Sequence, residues 1–471
     1  MTASRYATIQ ERLPTPVGKQ ADVVALSPAG HHVVLGTAGS GKTTMAMLRA
    51  MFLADPRGEH HGRTLLVTYN RALLAFLRQV IAGDDDLLEV RNYHHFALGY
   101  LKSRGLPTDH AVAQGENRRD LIRSGLRATR EEHSDPVLER GTDFFSSEFA
   151  WMGRHGITSE ADYLAADRVG RVQPLTRSQR SAVFVARQGY EHAREQAGLS
   201  YDWDDLATAV VEQLEADEDP RRYRHVVIDE GQDFSLQMLR SLVAATDPAG
   251  SFTLFGDAAQ QIYGQGISWR SAGIEVSKVW EFAHNYRNSA PIVRLAQAIA
   301  TMPYYRDVED LVEPDEDVDE GPPPTMRVFE EATAERDWVV EQAQALGRTG
   351  TVGVLFRRGV DAERFVRACR GAERLDRDTP LWNARPGAWG ATVYAAKGFE
   401  FQSVIIPDLS TAWWPEPQAI SAEGDEEAAA GDGRLLYVAV TRARQNLLMT
   451  ATGTLTDLLP DEDGLWVQSE G

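Results

Sequence analysis

"HHVVLGTAGSGKTT", residues 31–44, joins an apolar run to a glycine-rich turn and then to a helical pattern. The turn fits G-x-x-x-x-G-K-[ST] from Gly36 to Thr43. Glycines there let successive backbone N–H groups curl inward around phosphate oxygens, and the helix that follows offers its N-terminal dipole to the same anion. Gly36, Ala38, Gly39, Ser40 and Gly41 are therefore expected to cradle a nucleoside triphosphate, ATP, with Thr44 beside them. Lys42 is expected to reach the β- and γ-phosphates, and Thr43 to ligate Mg2+. Strand, phosphate loop and helix in this order imply an α/β fold built on a parallel sheet.

The rest of the chain repeats that alternation. "TLLVTYN", "HVVIDE" and "SFTLFGD" extend the first set of short apolar runs, and "TMRVFE", "TVGVLFRR", "ATVYAAKG" and "SVIIPDL" make a second. Helical patterns such as "SLQMLRSLVAA" and "PIVRLAQAIATM" lie between them. The expected organisation is a first α/β domain over residues 1–97 and 201–280, a mostly helical insertion over 98–200, and a second α/β domain over 281–471.

The bulk numbers agree with a multidomain globular protein of 471 residues, 43% hydrophobic. No run of about 18 apolar residues exists, which argues against a membrane span. The first twenty residues contain no apolar stretch of the secretory kind, and the lone Cys369 forms no internal disulfide or cysteine metal cage. A cytoplasmic protein is the expectation. The net charge of -20 argues at first against a nucleic-acid partner. Yet residues 307–320 hold nine acids and 415–433 hold six, with no base in either. Those two segments carry most of the excess and read as solvated loops, so a basic groove elsewhere remains open.

A phosphate loop needs a carboxylate opposite, and "HVVIDE" supplies two. Asp229 is expected to hold Mg2+ through water, and Glu230 to orient or deprotonate an attacking water. Up to this point the residues say only ATPase.

Further stretches narrow the class: "DEGQD" (229–233), "FGDAAQQIY" (255–263), "NYRNS" (285–289), "YAAKGFEF" (394–401) and "LYVAVTRARQ" (436–445). In this order they resemble the UvrD/Rep/PcrA family of superfamily 1 DNA helicases, over about residues 18–97 and 200–450. The resemblance implies two RecA-like motor domains with ATP in the cleft between them. It implies that Gln20 and Tyr286 contact adenine, that Glu400 contacts ribose and that Gln260 senses the γ-phosphate. Arg287 and Arg442 would come from the second domain as arginine fingers, and Gln232, Asp233, Lys397 and Gly398 would couple hydrolysis to domain closure. "VTYNRALLAFL" (67–77) and "NYHHFALGY" (92–100) resemble the family's early strand-contacting motifs. They make Asn70, Tyr93 and His94, together with Tyr263, Trp269 and Arg270, candidates for contact with single-stranded DNA, RNA being left open. Arg168 and Arg171 in the insertion are read as a solvated helix end rather than a phosphate contact, and "YDWDDLA" (201–207) as a structural turn.

Three departures matter. Only 104 residues separate Arg287 from Thr392, which leaves no room for the large subdomain that full-length family helicases place there. Tyr394 stands where the family commonly has His, and Thr44 where close relatives have an adenine-clamping Arg. No nuclease signature accompanies the motor. The expected activity is an ATP- and Mg2+-dependent single-stranded DNA translocase or minimal helicase, 3′ to 5′ by resemblance. The alternatives are a motor subunit that needs a partner, such as a nuclease or repair factor, and an ATP-dependent regulatory switch.

Overall fold

A computed structural model describes residues 15–16, 18–37, 39–68, 87–168, 171, 174–257, 269–276, 278–282, 288–305, 320–376 and 385–469. The chain opens with β1 (Gly30–Gly36), β2 (Thr64–Val67) and β3 (Leu88–Arg91). A largely helical excursion follows, holding the short parallel pair β4 (Val112–Ala113) and β5 (Tyr201–Asp202). The chain then returns through β6 (Tyr223–Ile228), β7 (Thr246–Gly256) and β8 (Val279–Phe282). Apart from the β4–β5 pair these strands form one sheet, in the order β3-β2-β6-β7-β1-β8, every neighbour parallel.

Parallel sheets are covered on both faces, so their strands read as continuous apolar runs instead of alternating ones. Val33, Leu35, Val226, Ile228, Phe252 and Leu254 face one layer of helices, Tyr93–Ser103, Leu206–Ala216 and Leu236–Ala244. Val34, Leu66, Val227 and Phe255 face the other, the Lys42–Ala54 helix. Each fully buried Val, Leu or Phe contributes about 1.5–3 kcal/mol.

The excursion's helices Gly115–Glu132, Thr142–His155, Glu160–Ala165 and Arg177–Gln196 have an apolar core of their own around Phe145, Phe149, Met152, Tyr163 and Tyr190. The expected insertion boundary at residue 98 falls inside the Tyr93–Ser103 helix. That helix packs Phe96, Ala97, Tyr100 and Leu101 on the first sheet, so the separately packed unit starts near Gly115.

The second sheet comprises β9 (Thr325–Phe329), β10 (Thr351–Phe356), β11 (Glu373–Arg374), β12 (Gly387–Thr392), β13 (Phe401–Ile406), β14 (Ala443–Thr452) and β15 (Val467–Gln468). Their order is β11-β12-β10-β13-β14-β9-β15, again wholly parallel. The protein is thus α/β with two parallel-sheet domains. Residues 415–433, expected as a solvated loop, instead lie largely in the helices Pro417–Glu423 and Asp425–Val440. Acids in the first turn, Asp425, Glu426 and Glu427, suit the positive end of the helix dipole, and the apolar run Leu435–Val440 buries its other end. The Pro417–Glu423 helix packs against the insertion's Thr142–His155 helix.

Candidate nucleotide cleft and strand-contact residues

The phosphate loop leaves the C-terminal end of β1. Gly39 and Gly41 adopt φ of 79° and 83°, left-handed values open to glycine at little cost. At Gly36 the limit is space: a Cβ there would lie 2.6 Å from Ser40 Oγ. Lys42 Nζ donates to the carbonyls of Gly36 at 2.8 Å and Thr37 at 2.6 Å, and its ammonium lies 3.6 Å from Asp257. Gln20, on the Lys19–Val24 helix, donates to the Ser40 carbonyl at 3.3 Å, which brings it against the loop. Thr44 follows Thr43 in the first turn of the helix and is half-buried.

Arg49, which the sequence did not single out, anchors this arrangement. It lies two turns below Lys42 on the same helix and is fully buried. Its guanidinium donates to the carbonyls of Val24 (3.1 Å), Leu26 (2.5 Å) and Ser27 (2.6 Å), pinning the segment that carries Gln20. Burial pushes its pKa down to about 10.

Asp229 directly follows β6 and is buried. Its two carboxylate oxygens accept from Thr43 Oγ1 at 3.1 Å and from Thr68 Oγ1 at 3.2 Å. Thr68 stands in the stretch read as strand-contacting, yet its hydroxyl serves the carboxylate. Burial pushes Asp229 up to about 7, and the neighbouring Glu230 charge adds to the shift. The donor set is all oxygen, a hydroxyl and a carboxylate facing each other, which fits a hard cation such as Mg2+ that keeps most of its waters. Among the described residues no group of three or more His, Cys, Asp or Glu forms a metal cage.

Glu230 has φ 57° and ψ 43°, left-handed although it is not glycine. Such a backbone costs on the order of 1–3 kcal/mol and is held only where its surroundings fix it. Gln232 supplies part of that fixing: its Nε2 donates to Glu230 Oε2 at 2.5 Å while its Oε1 accepts from the Asp257 N–H at 2.9 Å. Burial raises the Glu230 pKa, but Lys397, Lys42 and Arg442 together hold it below its ordinary value. Gln232 therefore acts inside the first domain, tying Glu230 to the end of β7. The cross-cleft partner is Asp233, which accepts from Lys397 Nζ of the second domain in a nearly buried ion pair. Gly398 beside it takes φ 83°.

Arg442 follows the Asp425–Val440 helix and is buried. It donates from Nε to the Val438 carbonyl at 3.1 Å and from Nη2 to Thr441 Oγ1 at 3.3 Å, and its charge acts on Glu230. Glu400 is half-buried just before β13, and Tyr394 is half-buried beneath the Arg357 guanidinium, 5.5 Å from its ring centre. Ala38, Asn70, Gln260, Tyr263, Tyr286 and Arg287 lie outside the described residues.

Two expectations are corrected, one a strand contact and one a solvated helix end. Tyr93 is wholly buried: its ring packs with Phe96 and Phe234 and its hydroxyl bonds Ser241 Oγ at 2.8 Å, so no base can reach it. Arg168 and Arg171 are not a solvated helix end. Both converge on the buried Glu148 at 2.8 Å, Arg168 through two parallel bonds, and Tyr163 donates to the same carboxylate at 2.5 Å. Burial favours the neutral acid, but the two arginines keep Glu148 below the usual carboxylate range. Arg171 also reaches Glu427 of the second domain at 3.5 Å.

The other strand-contact candidates among the described residues are at least partly accessible. His94 is half-buried, its ring 4.5 Å from that of Trp203. Trp269 is half-buried against the first sheet's core, and Arg270 beside it is exposed. In the "YDWDDLA" turn, Asp202 accepts from Arg118 and Tyr190, both at 3.0 Å, inside the protein. Among the described residues no helix is long and apolar enough to cross a membrane.

Comparison with known proteins adds an independent line. A family model for the UvrD/REP helicase N-terminal domain matches residues 17–285, and one for the UvrD-like helicase C-terminal domain matches 391–454. A Mycoplasma pneumoniae protein named probable DNA helicase is 25% identical over 90% of this chain and 80% of its own length. The ATP-dependent DNA helicase UvrD2 of Mycobacterium bovis is 23% identical over 90% of this chain and 77% of its own. A solved C-terminal domain of a possible DNA helicase from Lactobacillus plantarum aligns with 39% of this chain and 99% of its own at 23% identity, and its TM-score of 0.30 is too low to bear on the fold.

Proposed function

The chain belongs to the UvrD/REP helicase family, and from that premise we propose that it is an ATP-dependent DNA helicase motor that moves along single-stranded DNA in the 3′ to 5′ direction. The observation that carries this reading is the ion pair between Asp233, beside Glu230, and Lys397 of the second domain, which brings cations of both domains to bear on Glu230: Lys42 on one side, Lys397 and Arg442 on the other. A carboxylate strained into place and ringed by cations from two lobes suits a site that reacts when the lobes meet.

In this reading Lys42 exchanges the carbonyls of Gly36 and Thr37 for phosphate oxygens. Gln20 reads adenine from the helix that Arg49 pins, Tyr286 stacks on the base, Glu400 holds the ribose and Gln260 senses the γ-phosphate. Thr43 and Asp229 hold Mg2+, with Thr68 keeping the carboxylate oriented. The bound ion supplies charge neutralisation across the phosphates. Glu230 holds the attacking water in line and takes its proton. Arg287 and Arg442 neutralise the charge that develops in the transition state, a role worth about 10³–10⁵ in kcat where an arginine finger serves it. Asp233 and Lys397 make the arrangement of the lobes sensitive to the phosphate. His94, Trp269 and Arg270, with Asn70 and Tyr263, are the proposed strand contacts, since aromatic faces beside a cation bind any base sequence.

The decisive measurement is the ATPase rate of the chain alone, with single-stranded DNA, and with single-stranded RNA. Stimulation by DNA is the expected result; a rate that neither polymer raises would sink the motor reading.

A further inference from the structure

We propose that Asn288 is a positioning residue that holds the Arg442 finger in place; the proposal rests on the role given above to Arg442. Asn288 directly follows Arg287 in the chain and is 3% exposed. Its side-chain amide donates to the Thr441 carbonyl at 3.1 Å and to the Ala443 carbonyl at 2.5 Å, the two carbonyls that flank Arg442. The next residue continues the contact, Ser289 N donating to the Arg444 carbonyl at 3.0 Å. On the opposite side of the same short segment, the Arg442 carbonyl accepts from Phe401 N at 3.0 Å. Residues 441–443 are therefore gripped alternately from two sides, as a strand is, with one asparagine side chain standing in for a neighbouring strand.

The chemistry requires this residue type. Thr441 caps the Asp425–Val440 helix, where the last carbonyls lack partners within the helix. A carboxamide carries two N–H donors on one nitrogen, which matches two acceptors. Aspartate would set acceptor against acceptor, and leucine would take the amide donor away from both carbonyls. The functional consequence follows from rigidity. With both flanking carbonyls fixed, the Arg442 backbone has little freedom to pivot. A displacement of about 1 Å at a reacting centre costs about 10²-fold in rate.

The test compares Asn288→Leu, Asn288→Asp and Asn288→Ser with Arg442→Ala, and adds the double variant Asn288→Leu/Arg442→Ala. Steady-state ATPase is measured with single-stranded DNA present. We expect Asn288→Leu and Asn288→Asp to lower kcat by about 10–100-fold, with KM for ATP changed less than about threefold, and the single-donor Asn288→Ser to lose less. In the Arg442→Ala background Asn288→Leu should cost under about twofold, because residues acting as a unit are not additive. Affinity for ADP should hold in the Asn288 variants while affinity for ADP with tetrafluoroaluminate falls. Circular dichroism identifies any variant that fails to fold, and Asn288→Ser then carries the comparison. Wild-type kcat in Asn288→Leu and Asn288→Ser would overturn the proposal, as would an equal loss in both backgrounds or a parallel loss of ADP affinity. If Arg442→Ala itself turns over normally, the reading of the finger fails and the proposal falls with it.

Discussion

At the scale of single residues, the cleft is organised around Glu230. Its left-handed backbone, the bond from Gln232 and the nearby charges of Lys397, Lys42 and Arg442 all keep an ionised carboxylate in one place. Glu230→Gln keeps the shape and removes the base. It should lower steady-state turnover by about 10²–10⁴-fold while equilibrium ATP binding persists; turnover near wild type would refute the assignment of Glu230 as the water-orienting base. The clustering of Lys42, Thr43, Asp229 and Glu230 was legible because their motifs fix their spacing. Thr68 and Arg49 were not. Thr68 meets Asp229 across 161 residues of sequence, and only the side-by-side pairing of β2 and β6 brings them together. Arg49 lies on an otherwise apolar helix face, where one arginine gives no sign that it will face carbonyls instead of water. Tyr93 failed in the opposite direction: an aromatic in a motif-like stretch looks like a stacking platform until Ser241 is found at its hydroxyl.

At the scale of elements, β6 leads into Asp229 and Glu230, the proposed catalytic acids, and carries a histidine under constraint. His225 Nε2 donates to the His60 carbonyl at 2.9 Å, and Nδ1 shares a hydrogen bond with Ser251 Oγ at 2.8 Å. Burial pushes its pKa down to about 4. Because the folded value lies below the unfolded one, about 6.5, His225 adds full stability above pH 6.5. That stability is lost progressively as the pH falls towards 4. Between pH 7.5 and 5 the wild type should therefore lose stability relative to His225→Gln as the pH falls, whatever the opposing gain from Asp229, whose raised pKa favours the folded state on acidification; melting curves with an identical pH slope in the two proteins would remove His225 from the account. His31, His32 and His155 are also lowered by burial and act in the same sense as His225. The central strands were readable because parallel strands buried on both faces form unbroken apolar runs. Edge strand β3 was missed because Glu89 and Arg91 interrupt it at partial exposure. Residues 415–433 were misread because counting acids hides the difference between a loop and the acidic first turn of a helix.

At the scale of the whole molecule, charge is shared between lobes. In the insertion, Arg168 and Arg171 share Glu148, which leaves one positive charge in excess, and Glu427 of the second domain stands 3.5 Å from Arg171. A buried ion without its full complement of partners is costly, so that carboxylate should favour docking of the lobes. In Glu427→Gln, backbone amides of the Thr142–His155 and Pro417–Glu423 helices should exchange with deuterium faster than in wild type, most of all at low ionic strength. Unchanged exchange would show that the pair contributes nothing to docking. The same arithmetic bears on the insertion as an evolutionary unit. A module whose interior is electrically complete can be moved between proteins, but this one leaves part of its neutrality on another lobe. Transplanted alone, it would need a replacement acid at its surface, and any lineage that lost Glu427 would be under pressure to trade Arg171 for an uncharged residue.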